Sequence, residues 1–212
     1  MGQIKWLGHA GFEIIESNGK KIFIDPFQIN VPSSEKADII LISHEHYDHF
    51  SKEDIKKIAT QHTTILITPD VQSKLRDIPG KVVLVEPDKS YEIHGFKIHT
   101  VHAYNTNKQF HPLQNDWVGY IIETEGKKIY HSGDTDIIPE MNKLAEQNID
   151  VAMLPCSGTY VMTATECAKA AEIIKPKLVI PMHWGSIIGT IKDAEMVKEL
   201  LEGKINVMVP VK

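Results

Sequence analysis

Cysteine is scarce in this chain of 212 residues, with only Cys156 and Cys167 present. A disulfide framework is excluded, and without a secretion signal both thiols are read as reduced and buried. Long apolar runs are missing too. Ile39 to Ile42 and Val82 to Val85 reach only strand length, far below the roughly 20 residues that cross a bilayer, so no membrane span is expected. The opening Met1-Gly2-Gln3-Ile4-Lys5-Trp6 has no charged-then-apolar leader, and Trp6 stands where a myristoylation motif wants Ser or Thr. The cytoplasm is the expected location.

Arginine is nearly absent: Arg76 stands alone, and the net charge is −5. A protein that grips a nucleic acid through many phosphates needs a basic stripe, and none is visible. Bidentate phosphate recognition by arginine is confined to Arg76, so phosphate binding would lean on metal, lysine or backbone. No Pro, Gly or Ser linker, low-complexity tract or repeat interrupts the chain. With 42% hydrophobic residues it has enough for one sizeable core, and residues 1–212 are read as a single domain.

The pattern predicts strands over Gln3 to Leu7, Phe12 to Glu16, Lys21 to Asp25 and Asp38 to Ile42, with a hairpin turn at Asn18-Gly19. Ser51-Lys52-Glu53-Asp54 reads as a capping box opening a helix with Ile55, Ile58 and Ala59 inward. Further strands are expected over Thr64 to Thr68, Val82 to Val85, Ser90 to His94 and Phe96 to His102, with a short helix over Asp70 to Arg76. Ala103 to Asp116 has no periodicity and reads as a long loop, a kind that tends to carry function. Trp117 to Thr124 and Lys127 to His131 form a hairpin about Glu125-Gly126. The remainder alternates: strand Val151 to Leu154, a helix capped at Thr163, strand Leu178 to Pro181, and a helix from about Asp193 to Gly203. Two mixed sheets face to face with helices outside, a four-layer α/β/β/α sandwich, cover both sheets.

Histidine is what the chain has in excess: eleven of them. Ser43-His44-Glu45-His46-Tyr47-Asp48-His49-Phe50 puts four potential metal ligands within six residues, directly after a buried strand. On a helix these side chains would scatter about the axis. In a loop at a strand's C-terminal end they converge, and imidazole with carboxylate suits zinc, and also manganese or iron. One loop does not close two metal sites, so other strand ends should contribute. His102, Asp134 and His183 each stand at a strand-to-loop junction.

These residues resemble the metallo-β-lactamase fold superfamily: His44-X-His46-X-Asp48-His49, then His102, then Asp134 in Ser132-Gly133-Asp134-Thr135, then His183 in Pro181-Met182-His183-Trp184. Trp6-Leu7-Gly8-His9-Ala10-Gly11-Phe12 and the short length resemble its small metal-dependent hydrolases, the branch that includes the ascorbate-phosphate lactonases. The resemblance implies two divalent metals, zinc by preference. His44, His46 and His102 would hold one, Asp48, His49 and His183 the other, and Asp134 would bridge them. Two cations about 3.5–4 Å apart lower the pKa of a shared water, so a metal-bound hydroxide is the implied nucleophile. Asp48 and His183 are the candidate catalytic residues, with Asp48 orienting that hydroxide. In the branch of true β-lactamases a cysteine replaces the bridging aspartate, and in the di-iron oxidoreductases an acidic residue replaces His46. Hydrolysis of something other than an antibiotic is therefore the implied activity.

Four more residues are candidates for bracing the metals or touching substrate. Asp25 would orient a ligand histidine, which needs a partner on its other ring nitrogen. His9 could be a proton donor, a substrate contact or a structural residue. His131 is read as a buried histidine satisfied by backbone, and Tyr160 as packing, with an oxyanion contact as the alternative. His111 and Asn105 are read as solvated loop residues, with substrate contact the alternative. The expected function is cleavage of an ester-type bond, phosphodiester or lactone, in a small anionic molecule. A nuclease and a non-catalytic metal-binding or ligand-sensing module are the rivals, and a homo-oligomer is left open.

Overall fold

The computed structural model describes residues 2–211. Its first sheet follows chain order: β1 (Gln3–Gly8), β2 (Gly11–Ile15), β3 (Lys21–Ile24), β4 (Ile39–Leu41), β5 (Thr64–Ile67) and β6 (Lys81–Leu84). β1 to β3 are antiparallel, and β3 to β6 run parallel. The second sheet has β7 (Ser90–Ile93), β8 (Phe96–His102), β9 (Val118–Thr124), β10 (Lys127–His131), β11 (Val151–Pro155), β12 (Leu178–Met182) and β13 (Asn206–Val207), again in sequential order. It is antiparallel from β7 to β10 and parallel from β10 to β13. Both sheets are mixed, as the strand pattern predicted.

The layers follow from the two-residue period of a strand, which sends neighbouring side chains to opposite faces. In β4 and just beyond, Ile39 and Leu41 enter the core between the sheets, where they meet Phe12, Ile24, Ile98, Tyr120 and Met153. Ile40 and Ile42 enter a second core with Ile55 and Ile58 of α1 (Lys52–Ile58). All four are fully buried, each stabilising the fold by about 1.5–3 kcal/mol over an exposed side chain. On the outer face of the second sheet, Ile121, Tyr130, Leu154 and Val179 pack on α2 (Met141–Leu144), α3 (Ala164–Ile174) and α4 (Ile191–Leu200). Unbroken apolar runs are what strands buried on both faces require.

Capping explains where the helices start. Ser51 accepts a hydrogen bond from the Asp54 N–H, and Thr163 and Glu166 form a complete capping box on α3. α4 begins at Ile191 rather than Asp193, because Thr190 is the cap and Asp193 closes its box. The predicted helix over Asp70 to Arg76 is a 3₁₀ turn over Pro69–Lys74. α2 and β13, at four and two residues, are too short to show a period. Cys156 and Cys167 are free and buried, and burial pushes both thiols up in pKa. No helix among the described residues is long and apolar enough to cross a membrane.

Candidate metal centre

The ends of several strands bring their loops to one place between the sheets. The loop after β4 supplies His44, His46, Asp48 and His49, the loop after β10 supplies Asp134, and His183 follows β12 directly. The β1–β2 turn adds His9, displaced by a register shift between Trp6 and Gly8. Such bulges re-aim side chains beside sites. His9, Asp25 and His183 hold left-handed backbone, at φ 52°, 43° and 61°. Residues other than glycine adopt it rarely, and the surroundings must hold them there. They do: the His183 N–H and the Trp6 indole N–H both donate to the His9 carbonyl, at 2.9 and 3.0 Å, and Trp6 stacks on Trp184 at 4.6 Å.

Three overlapping groups of donors result. The donor atoms of His44, His46 and His111 lie within 4.8 Å of one another, as do those of His9, Asp48, His49 and His183, and those of His44, His49 and Asp134. Asp134 stands among them, with Oδ1 3.2 Å from His49 Nε2, and Oδ2 3.1 Å from His111 Nε2 and 3.0 Å from His183 Nε2. Asp48 Oδ2 lies 3.7 Å from both His49 Nε2 and His183 Nε2, and 2.9 Å from His9 Nε2, whose N–H donates to it.

Outer partners fix which nitrogen faces inward. The Ser43 hydroxyl donates to Asp25 Oδ2 at 2.6 Å and so accepts from His44 Nδ1–H at 2.9 Å. His49 Nδ1–H donates to Asp25 Oδ2 at 2.8 Å, and His111 Nδ1–H to Asn105 Oδ1 at 3.0 Å. His183 Nδ1 pairs with Ser157 Oγ at 3.0 Å. In His49, His111 and His183 the Nε2 atom is left for the centre, the arrangement that orients metal-ligating histidines, while His44 Nε2 faces His46 Nδ1 at 3.0 Å.

Whether these residues fit a metal is answered by the atoms left without partners. His49 Nε2, His111 Nε2, His183 Nε2 and Asp134 Oδ1 are buried, and the approaches of Asp134 to the three rings at 3.0–3.2 Å lack hydrogen-bond geometry. Leaving one such atom unsatisfied costs about 1–3 kcal/mol, so four converging on one point mark a place built for a ligand. The electrostatics agree. Burial lowers the pKa of His49, but the carboxylates of Asp134, Asp48 and Asp25 outweigh it and the net direction is strongly up, a pull toward the positive charge that a cation supplies. Burial works against the Asp48 carboxylate, yet His49 and the hydrogen bond from His9 hold its pKa at about 2. His44, by contrast, is pushed well down by burial and by His49, so it stays a neutral ligand. The donor set fits a divalent, nitrogen- and oxygen-loving metal.

His102 is the correction. The sequence reading put it with His44 and His46, but the structure does not bring it to them. Its backbone is still paired with Val118 at the end of β8, and its Nε2 lies 3.6 Å from Asp88 Oδ2. His111 occupies the place instead, 1% exposed, with its ring 5.2 Å from that of His44 and 5.0 Å from that of His46. The loop turns it inward: the Asn105 N–H donates to the His111 carbonyl at 2.7 Å, and Asn105 Oδ1 takes the His111 N–H at 3.0 Å. Both residues were read as solvated. The available signal was a histidine in a long unpatterned loop between two strands of the second sheet. Asn105→Ala is expected to weaken metal binding by about 10–100-fold, measured by competition with a chromophoric chelator, because it frees the His111 ring.

The other candidates fall at stated distances from this centre. Asp25 holds His49 and the Ser43 N–H, the latter at 2.8 Å. His131 is fully buried between the Ala10 carbonyl at 2.8 Å and the Gly133 N–H at 3.2 Å, satisfied by backbone as read. Tyr160 is one-third exposed at the rim. Gly133 has φ 61°, and a Cβ there would stand 2.8 Å from the Val118 carbonyl oxygen. Gly133→Ala should therefore destabilise the fold by about 3 kcal/mol, a Tm loss of roughly 6–12 °C by differential scanning calorimetry.

Comparison with known proteins gives the family and the fold. A family model described as a beta-lactamase superfamily domain matches residues 3–183. A UPF0173 metal-dependent hydrolase of Thermococcus onnurineus is 36% identical over 219 residues, covering 99% of this chain and 96% of that one. A candidate metal-dependent hydrolase of Parabacteroides distasonis superposes at TM-score 0.86 with 33% identity, over 99% of this chain and 92% of that one. A candidate zinc-dependent hydrolase of the metallo-β-lactamase superfamily from Thermotoga maritima does so at 0.63 with 23% identity, over 98% and 97%, a likeness of fold alone.

Proposed function

This chain belongs to the beta-lactamase superfamily domain family, among the UPF0173 metal-dependent hydrolases, and on that premise we propose that it is a dinuclear metallohydrolase cleaving an ester-type bond, phosphodiester or lactone. The observation that carries the reading is the convergence of four buried, unpartnered donor atoms, from His49, His111, His183 and Asp134. His44, His46 and His111 would hold one divalent ion, Asp48, His49 and His183 the other, and Asp134 would present a carboxylate to both. Zinc is the first choice for such a set. When bound, the ions supply Lewis acidity to a water and to the substrate oxygen.

The chain's own residues do the rest. Asp48, kept ionised, accepts a proton-bearing contact from an attacking water and directs its lone pair, while His9 fixes the rotation of that carboxylate. Asp25 and Ser43 lock the rings of His49 and His44. Trp117, 4% exposed, lies 4.7 Å from the His44 ring and 4.8 Å from the His46 ring, and so keeps water from the back of the centre. A dry wall strengthens every electrostatic contact inside it.

The test is elemental analysis together with turnover of bis(p-nitrophenyl) phosphate, lactones and thioesters. Two equivalents of metal and turnover of an ester-type substrate are expected, whereas full metal loading with no turnover across the panel would sink the reading. Chelation gives a separate check. Metal held at 1,000 times its Kd stabilises the fold by about 4 kcal/mol, so stripping it should lower Tm by roughly 8–16 °C, with recovery on adding back zinc.

A further inference from the structure

His46, Asp48, His111, Asp134 and His183 form the floor of a cavity of about 250 Å³, and the walls are of a different character: Tyr47, Phe110, Tyr160 and Ile187. They come from four separate loops, and all four are exposed, from 36% for Tyr160 to 65% for Tyr47. A single exposed apolar side chain is ordinary. Four around one opening, with Phe110 and Tyr160 edge to face at 4.8 Å, make the kind of patch that binding sites leave uncovered. The wall is tied to the floor as well, because the Asn105 amide that braces His111 also donates to the Tyr160 carbonyl, at 3.0 Å.

Charge is what the walls lack. Among the described residues lining the cavity there is no lysine or arginine. The lysines of the adjoining loops are already committed, Lys74 to Glu45 and Lys108 to Asp136. A charged group lodged against this wall would lose hydration without a countercharge, which is costly. Positive charge at this site belongs to the metal floor, so an anionic part of a substrate is served there and nowhere else.

Resting on the hydrolase reading above, we propose that the site selects substrates whose non-reacting arm is uncharged and apolar, about the size of a substituted aromatic ring. A cavity of about 250 Å³ leaves room for that arm beside a reacting centre. Phe110, Tyr160 and Ile187 are the specificity residues, and the sequence-level expectation of a small anionic molecule narrows to an anionic or polar reacting group with an apolar arm.

The experiment is calorimetric titration of the metal-loaded chain with methylphosphonate, phenylphosphonate and 2-sulfoethylphosphonate, which share an anchoring head and differ in the arm, the sulfonate being a charged group that binds metal poorly. Phenylphosphonate should bind at least about tenfold tighter than methylphosphonate, and 2-sulfoethylphosphonate no tighter than methylphosphonate. Phe110→Ala and Ile187→Ala should each shrink the phenyl preference severalfold. Leu113→Ala, at an exposed residue that does not line the cavity, should leave it unchanged. Equal binding of the three ligands, or a preference for 2-sulfoethylphosphonate, overturns the proposal even if esters are turned over, and leaves the hydrolase reading standing. A phenyl preference lost in the Phe110 and Ile187 variants supports the proposal even if no ester is turned over, in which case the hydrolase reading alone fails.

Discussion

Alanine at Asp134 is expected to cut kcat/KM on an ester-type substrate by at least about 10³-fold while the far-ultraviolet circular dichroism stays that of the native chain. Asp134 is 3% exposed and stands within 3.0–3.2 Å of ring nitrogens on His49, His111 and His183. Its own burial raises the carboxyl pKa, but His183 and His49 outweigh that and keep it ionised. On the dinuclear reading, removing it would take away the negative charge shared by both ion positions, and several kcal/mol of transition-state stabilisation would depend on holding those ions in place. At 1.36 kcal/mol for each factor of ten, a loss of about 4 kcal/mol gives the stated drop. Asp134→Asn preserves the shape and loses the charge, so it should be nearly as inactive. Wild-type turnover in either variant would mean that the donor cluster is structural.

The second large effect separates two histidines nine positions apart. His111→Ala should lose one of two metal equivalents and at least about 10²-fold in turnover, since deleting a ligand is worse than loosening one, for which 10–100-fold is usual. His102→Ala should keep both equivalents and stay within about twofold of wild type. His102 is paired in β8, and its ring faces Asp88 and the Tyr104 ring at 6.3 Å, so contacts away from the centre are all that it loses. The reverse outcome, with His102 needed and His111 dispensable, would contradict the geometry of the centre. Inductively coupled plasma analysis of the two purified variants decides it, with activity as the second readout.

The reach of sequence reading differs between these two sites of change. His44, His46, Asp48 and His49 were legible because they share one short loop after a strand that reads as buried on both faces, and local sequence alone brings them within reach of one point. Asp134 and His183 were legible because each follows a strand of a recognisable pattern. His9 and Asp25 were visible as candidates, but their roles rest on left-handed backbone and on partners 39 and 24 positions away. Nothing in a periodicity reports such contacts. His111 was missed for the same reason, since the stretch from Ala103 to Asp116 carries no period to say which side chains turn inward.

What the amino-acid order determined here is everything set by short-range chemistry: strands read from alternation and apolar runs, helices opened at Ser51 and Thr163 by their caps, and a histidine loop that concentrates ligands in six residues. Only the tertiary structure decided which histidine completes the first ligand set, and that the cavity above the ligands is walled by rings rather than by cations. The physical reason is that a loop takes its shape from what it lies against. Asn105 turns His111 inward and anchors Tyr160 across 55 positions of chain, a contact whose partners no local pattern foretells.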